Sequence, residues 1–262
     1  MIELRDVSYS VPAHEYSSHS EEAQPEARRT IIDGVSFVVP DGSICCIMGV
    51  SGTGKTTLLR LVGGLLKPDG GQILVNGRDI VPMDEAQLNE VRRDMGFVFQ
   101  YGALFDSMNV GANVGFGLER QRKPRAQIKK LVAERLSEVG MAGTEDKLPS
   151  ELSGGMKKRV AMARALATSP KIVLYDEPTS GLDPVNARVI DDLIVRLRDG
   201  AGTTNVVVSH HLPSIFRIAD RVLMLHNGRV AVEGTPAEVQ ASQAPEVRQF
   251  IEGEAVGPIT VR

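Results

Sequence analysis

The chain has 262 residues, and 30 Lys plus Arg against 33 Asp plus Glu leave a formal net charge of −3. That balance excludes a basic nucleic-acid binder and an acidic disordered tail, while 42% hydrophobic content with 4% aromatics and no Trp predicts a substantial aliphatic core. No apolar run approaches the roughly 18 residues of a membrane span. The charged start MIELRD lacks the apolar stretch of a signal peptide, so a soluble cytoplasmic protein is expected, meeting membranes only through a partner or a surface.

IELRDVSYSV and IIDGVSFVVP alternate as strands, and the Ser-, Glu-, Ala- and His-rich residues 12–29 between them read as a long exposed loop. A turn and a short buried strand follow in DGSICCIMGV. There Cys45 and Cys46 should point to opposite faces as small buried side chains, not form a disulfide. Lys55 to Val62 is apolar at helical spacing and stops at Gly63-Gly64. Asn76-Gly77 predicts a hairpin, then come a short helix over 84–92 and a strand over 95–99.

Residues 101 to about 152 change character. A Gly-rich, mildly apolar segment over 102–118 precedes a helix from Pro124 to Val139 with Ile128, Leu131, Val132 and Leu136 on one stripe. This predicts a mostly helical insert in an α/β frame. The frame resumes with KIVLY and TNVVV as buried parallel strands, helices over 184–197 and 211–219, and a second Asn-Gly hairpin in RVLMLHNGRVAV. The tail holds one short helix candidate, 246–252.

GVSGTGKT, Gly49 to Thr56, fits the P-loop pattern and stands between a buried strand and a helix, the context that pattern needs. Its glycines let backbone N–H groups turn toward a phosphate, and the helix presents its positive end to the same group. The nucleotide-binding residues are therefore expected to be Gly49, Val50, Ser51, Gly52, Thr53, Gly54, Lys55, Thr56 and Thr57. Lys55 would neutralise the β and γ phosphates of ATP, and Thr56 would offer its hydroxyl to Mg²⁺. Asp176 and Glu177 close the apolar run IVLY, at the strand end where α/β folds bind ligands. Asp176 is expected on the metal, directly or through water, and Glu177 as the group that orients or deprotonates the attacking water. Two adjacent carboxylates repel, so the pair makes sense with a cation beside it.

LSGGM, Leu152 to Met156, opens a further helix: Ser153 would be its N-cap, and Gly154 and Gly155 would expose N–H groups as a second anion site. About twenty residues before the Asp-Glu pair, this turn makes the chain resemble the nucleotide-binding domain of an ABC transporter over nearly its whole length. The resemblance implies an α/β P-loop NTPase (RecA-like) core with an antiparallel β-subdomain and a helical subdomain. The ATP-binding domain would span 1–240, with the helical subdomain about 101–168 and a C-terminal tail over 241–262. It implies that Ser153, Gly154 and Gly155 contact ATP held by a second copy, that Gln100 reaches Mg²⁺ and links to the membrane subunit, and that Asp183, in SGLD, lies at the dimer interface. It also implies that His210 contacts the γ-phosphate, so that Glu177 and His210 form the catalytic pair and Thr56, Gln100 and Asp176 the metal set.

Two positions depart from the family. The aromatic that stacks on adenine would fall at Val11, with Tyr16 in the long loop as a substitute, and His211 stands where Asp is usual. FQYGALFDSMNVGANVGF, PSELSGGMKKR and VRQFIEGEAVGPI are similar to the MlaF-like ATPases of MCE-type phospholipid transport, although SGLDP stands where those often read VGQDP. That similarity implies an ATPase on the cytoplasmic face of the inner membrane, with an MlaE-like permease and an MCE protein as partners and no nucleic acid. An ATPase of an amino-acid or other small-solute importer is the alternative. A soluble ABC protein acting on DNA or ribosomes would need a second ATPase domain or a long coiled-coil insert, and the sequence has neither.

Six cations within 120–130 (Arg120, Arg122, Lys123, Arg125, Lys129 and Lys130) form either a solvated helix face or a surface for anionic headgroups or an acidic permease loop. Leu104, Phe105, Met108 and Val110 form either a permease-docking patch or core packing within the insert.

Overall fold

A computed structural model describes residues 1–12 and 28–260. Residues 13–27, Tyr16 among them, lie outside the described residues, and so does the central part of the expected loop. The strands are β1 (Ile2–Pro12), β2 (Arg28–Val39), β3 (Ile44–Met48), β4 (Gly70–Val75), β5 (Arg78–Asp79), β6 (Met95–Val98), β7 (Ile172–Asp176), β8 (Thr204–Val208), β9 (Arg221–His226) and β10 (Arg229–Gly234). They build an antiparallel sheet in the order β2-β1-β4-β5 and a second sheet in the order β10-β9-β3-β8-β7-β6. In the second sheet only the β9–β10 pair is antiparallel. The helices are α1 (Lys55–Val62), α2 (Glu85–Arg92), α3 (Val110–Arg120), α4 (Arg125–Glu138), α5 (Gly154–Leu166), α6 (Pro184–Ala201), α7 (Leu212–Ile218), α8 (Pro236–Gln240) and α9 (Pro245–Glu252).

The parallel strands are buried on both faces, and successive residues serve different layers. Cys46, Met48, Val173, Tyr175 and Val207 pack with the helical side, including Val114, Leu118, Leu136 and Val160. Cys45, Ile47, Leu174, Val206 and Val208 pack with α1 and the antiparallel sheet through Leu58, Leu61, Ile2, Leu4 and Ile73. The two thiols are free, buried and on opposite faces, as the alternation requires.

Three features differ from the sequence reading. β2 begins at Arg28 rather than Ile31, because Arg28 donates to the Ser10 carbonyl at 2.8 Å and to Asp69 at 2.9 Å, extending the ladder with β1. The Gly-rich segment contains a full helix, α3, despite Gly111, Gly115 and Gly117. Those glycines are contact points: a Cβ on Gly115 would stand 3.2 Å from Ile128, and one on Gly117 would stand 3.1 Å from Thr168. Close packing there outweighs the weak helix propensity of glycine. Asn113, fully buried, secures the approach to α3: its amide donates to the Phe105 and Met108 carbonyls while its Oδ1 accepts from the Phe105 N–H at 2.8 Å. The apolar quartet divides, with Val110 fully buried and Phe105 41% exposed. α6 also continues four residues beyond 197, to a left-handed Gly202 cap.

The C-terminal segment packs against the helical side of the core, where Val247 and Ile259 are buried. Gln249 fastens it, accepting from the Ile259 N–H at 2.7 Å and donating to the carbonyls of Ile259 and Glu254. Gln249→Ala should cost on the order of 1–3 kcal/mol, since it leaves buried Ile259 polar groups unpaired. A urea-unfolding midpoint unchanged from wild type would contradict that. Among the described residues, no helix is long and apolar enough to cross a membrane.

Candidate nucleotide-binding site

The turn from β3 into α1 depends on two glycines. Gly49 has φ +143°, and a Cβ there would lie 2.4 Å from the Leu225 carbonyl oxygen. Gly54, at φ +96°, precedes α1, and its Cβ would meet the Ile31 carbonyl at 2.9 Å. The loop therefore lies tight against its neighbours, as only glycine permits. α1 has no side-chain cap and no acidic residue in its first turn, which leaves its N–H groups and positive dipole end to an anion.

Lys55 Nζ donates to the Gly49 and Val50 carbonyls, both at 2.8 Å, and Thr53 Oγ1 donates to the Val50 carbonyl at 2.9 Å. Burial lowers the Lys55 pKa, while Glu177 and Asp176 pull it the other way. Thr56 Oγ1 donates to Asp176 Oδ1 at 2.9 Å, joining the first helical turn to the end of β7. Burial raises the Asp176 pKa; the Thr56 hydrogen bond opposes that shift and the Glu177 charge adds to it. A carboxylate in that position gains from any cation brought beside it.

Glu177 is 8% exposed and adopts φ +48°, a left-handed conformation that is strained for a residue with a Cβ. Its N–H donates to the Val208 carbonyl at 2.9 Å, and its carbonyl accepts from Ser180 N–H at 3.2 Å and from Lys158 Nζ at 3.1 Å. Its Oε1 lies 2.8 Å from His210 Nδ1, and its buried Oε2 has no hydrogen-bond partner among the described residues. His211 is held apart from this pair, its Nδ1 2.8 Å from Ser214 Oγ, which in turn donates to Asp191.

Ser51, Gly52, Gly54, Lys55, Thr56, Thr57, Gln100, Glu177 and His210 thus line one cleft of about 390 Å³. Gly49, Val50 and Thr53 shape its loop, and Asp176 is reached through Thr56. Ser153, Gly154, Gly155 and Asp183 stand outside it as a second group. Ser153 caps α5 by accepting from Met156 N–H, and Asp183 caps α6 by accepting from the Val185 and Asn186 N–H groups. The two caps adjoin, since a Cβ on Gly155 would come 3.3 Å from Asn186 Oδ1. Among the described residues, no cluster of three or more His, Cys, Asp or Glu could hold a metal by itself.

Three residues were missed in the sequence. Arg29 and Ile31 complete the cleft wall, whereas Val11 is the ladder partner of Arg29. Lys158 is 8% exposed, and burial pulls its pKa down to about 8 against the opposing pull of Glu177. Its signal was available: it follows Gly155 by three residues on the buried stripe of α5.

A family described as ABC transporter matches residues 32–180. The intermembrane phospholipid transport system ATP-binding protein MlaF of Escherichia coli (strain K12) is 41% identical over 263 residues, covering 100% of this chain and 92% of that protein. The methionine import ATP-binding protein MetN of Caulobacter vibrioides is 41% identical over 229 residues, covering 87% of this chain and 69% of its own. The dimeric post-hydrolysis structure of the ATP-binding cassette MJ0796, bound to ADP and Pi, superposes with a TM-score of 0.80 at 30% identity, over 90% of this chain and 99% of that one.

Proposed function

Because this chain belongs to the ABC transporter family, we propose that it is the ATP-hydrolysing subunit of a phospholipid transport system and drives a separate membrane permease. The observation that carries the chemistry is the convergence of Lys55, the Thr56–Asp176 pair and the Glu177–His210 pair on one cleft. The observation that supports the cargo is 41% identity with a phospholipid transport ATPase over the whole chain. The methionine-import relative aligns over less of both chains, which favours the importer reading less.

ATP binds with its phosphates against the Gly49–Thr57 loop and the start of α1, where Lys55 balances their charge. The Thr56 hydroxyl, the Asp176 carboxylate and the Gln100 amide oxygen form an all-oxygen donor set suited to Mg²⁺. The Thr56 hydroxyl and the Gln100 amide oxygen would hold the metal, with the Asp176 carboxylate joining directly or through water. Bound there, Mg²⁺ supplies positive charge to the phosphate oxygens during transfer. Glu177 accepts the proton of the attacking water, and its Oε2, without a hydrogen-bond partner among the described residues, leaves it acceptor capacity for that proton. His210 steadies the carboxylate from the other side and reaches the γ-phosphate.

Ser153–Gly155 and Asp183 lie outside this cleft, and they complete the site of a second copy in an ATP-bound dimer. The dimer sits on the cytoplasmic face of the inner membrane against an MlaE-like permease that works with an MCE protein. Residues 1–240 form the ATP-binding domain, with the helical subdomain about 101–168 and the tail over 241–262. Affinity purification from native membranes tests the cargo: a permease with bound phospholipid and an MCE protein is expected. A solute permease with an amino-acid receptor would replace the lipid reading and leave the ATPase in place.

Docking is expected through the segment that follows Gln100. Phe105 is exposed, its ring centroid lies 4.8 Å from that of Phe116 in a tilted contact of 47°, and Arg164 sits over its face. Phe105→Asp should reduce permease co-purification at least about ten-fold, the loss of one apolar anchor, without affecting nucleotide binding. Undiminished recovery of the permease would place the docking surface elsewhere.

A further inference from the structure

Lys158 is an ammonium buried to 8% exposure, and its hydrogen bond goes to a neutral backbone carbonyl rather than to a carboxylate. Burying a charge on those terms costs stability, and an apolar side chain of the same length would fit the site without that cost. The carbonyl it holds belongs to Glu177, whose backbone is strained. Of the three restraints on that backbone, one comes from the neighbouring strand at Val208 and one from the turn itself at Ser180. The third, from Lys158, is the one supplied by α5, the helix that opens with the Ser153–Gly155 turn.

We propose that Lys158 is a positioning residue for Glu177: its ammonium holds the Glu177 carbonyl and ties the attitude of that carboxylate to the helix carrying the Ser153–Gly155 turn. This rests on Glu177 being the proton acceptor. Lys158 lies five residues beyond Ser153, about 7 Å along the helix axis. A small rotation of α5, as its N-terminal turn engages or releases an anion, therefore displaces the ammonium and the backbone of Glu177 together. The two anion-binding regions of one copy share no lining residue, and this side chain joins them mechanically. A buried charge retained against its own stability cost is what such a role leaves behind.

The test uses the purified full chain with Lys158→Met, Glu177→Gln and the double variant. Lys158→Met should lower kcat at least about ten-fold, the scale of misplacing a reacting group by a fraction of an ångström, while KM for MgATP changes less than about two-fold. Its nucleotide-free melting temperature should equal or exceed that of wild type, because the buried charge is gone and Ser180 still satisfies the carbonyl. In the double variant kcat should be no lower than in Glu177→Gln alone, because Lys158 acts through Glu177. A kcat within about two-fold of wild type in Lys158→Met overturns the proposal. So does a loss of kcat that comes with a lowered melting temperature, or an additional loss in the double variant. Near wild-type turnover in Glu177→Gln would remove the proton acceptor itself, a failure read independently of Lys158→Met.

Discussion

Glu177→Gln should lower ATP turnover at least about 100-fold, the usual contribution of a positioned general base, while leaving ATP binding intact. The amide keeps the shape of the carboxylate and can still meet His210, but it cannot take up the water proton. In the proposed site the phosphates are held by the Gly49–Thr57 loop, which this substitution leaves untouched, so ATP should accumulate uncleaved and hold two copies together. Light scattering with and without ATP reads that directly. A variant that still hydrolyses ATP at near the wild-type rate would show that another group accepts the proton.

Lys55→Ala should be at least as severe, with turnover reduced by about 100-fold or more and nucleotide affinity lowered as well. The two variants differ in kind. In the proposed site Lys55 carries the charge that faces the phosphates, so its loss should affect both ground-state binding and the transition state. Its ammonium also bridges the Gly49 and Val50 carbonyls, and the alanine variant leaves the loop without that internal brace. The fold should persist, because Leu58, Leu59, Leu61 and Val62 seat α1 on the core independently. Turnover and nucleotide affinity both at wild-type level would sink the assignment of this loop.

Much of this was legible in the chain itself, for identifiable reasons. α1 spans the same residues, Lys55–Val62, that the apolar spacing marked, because a P-loop glycine opens it and Gly63 follows it. Ser153 and Asp183 cap their helices in a way that short-range chemistry dictates. The Asn76-Gly77 and Asn227-Gly228 turns have both residues at positive φ, which is what that dipeptide favours. α3 was not legible, because its three glycines argue locally against a helix. The closeness of Glu145 to Gly111, of Ile128 to Gly115 and of Thr168 to Gly117, fixed by tertiary packing, explains them. Lys158 carries a weaker signal than the caps: its spacing from Gly155 puts it on the buried stripe of α5, but a lysine in a cation-rich helix ordinarily faces water, and its burial depends on where β7 ends. Arg29 and Ile31 reach the cleft through the register of β2, which short-range chemistry does not set.

The adjacent thiols at the centre of β3 make the protein its own reporter of opening. Both are fully enclosed, and burial drives the Cys45 pKa up to about 12 and that of Cys46 well above the ordinary range, so neither offers a thiolate to a labelling reagent while the sheet is closed. Cys45 faces the layer of α1 and the antiparallel sheet, and Cys46 faces the helical layer. Alkylation of one thiol ahead of the other, resolved by mass spectrometry at the single-residue level, would reveal which half of the molecule detaches first. Simultaneous alkylation would show that the two layers come apart as one cooperative unit.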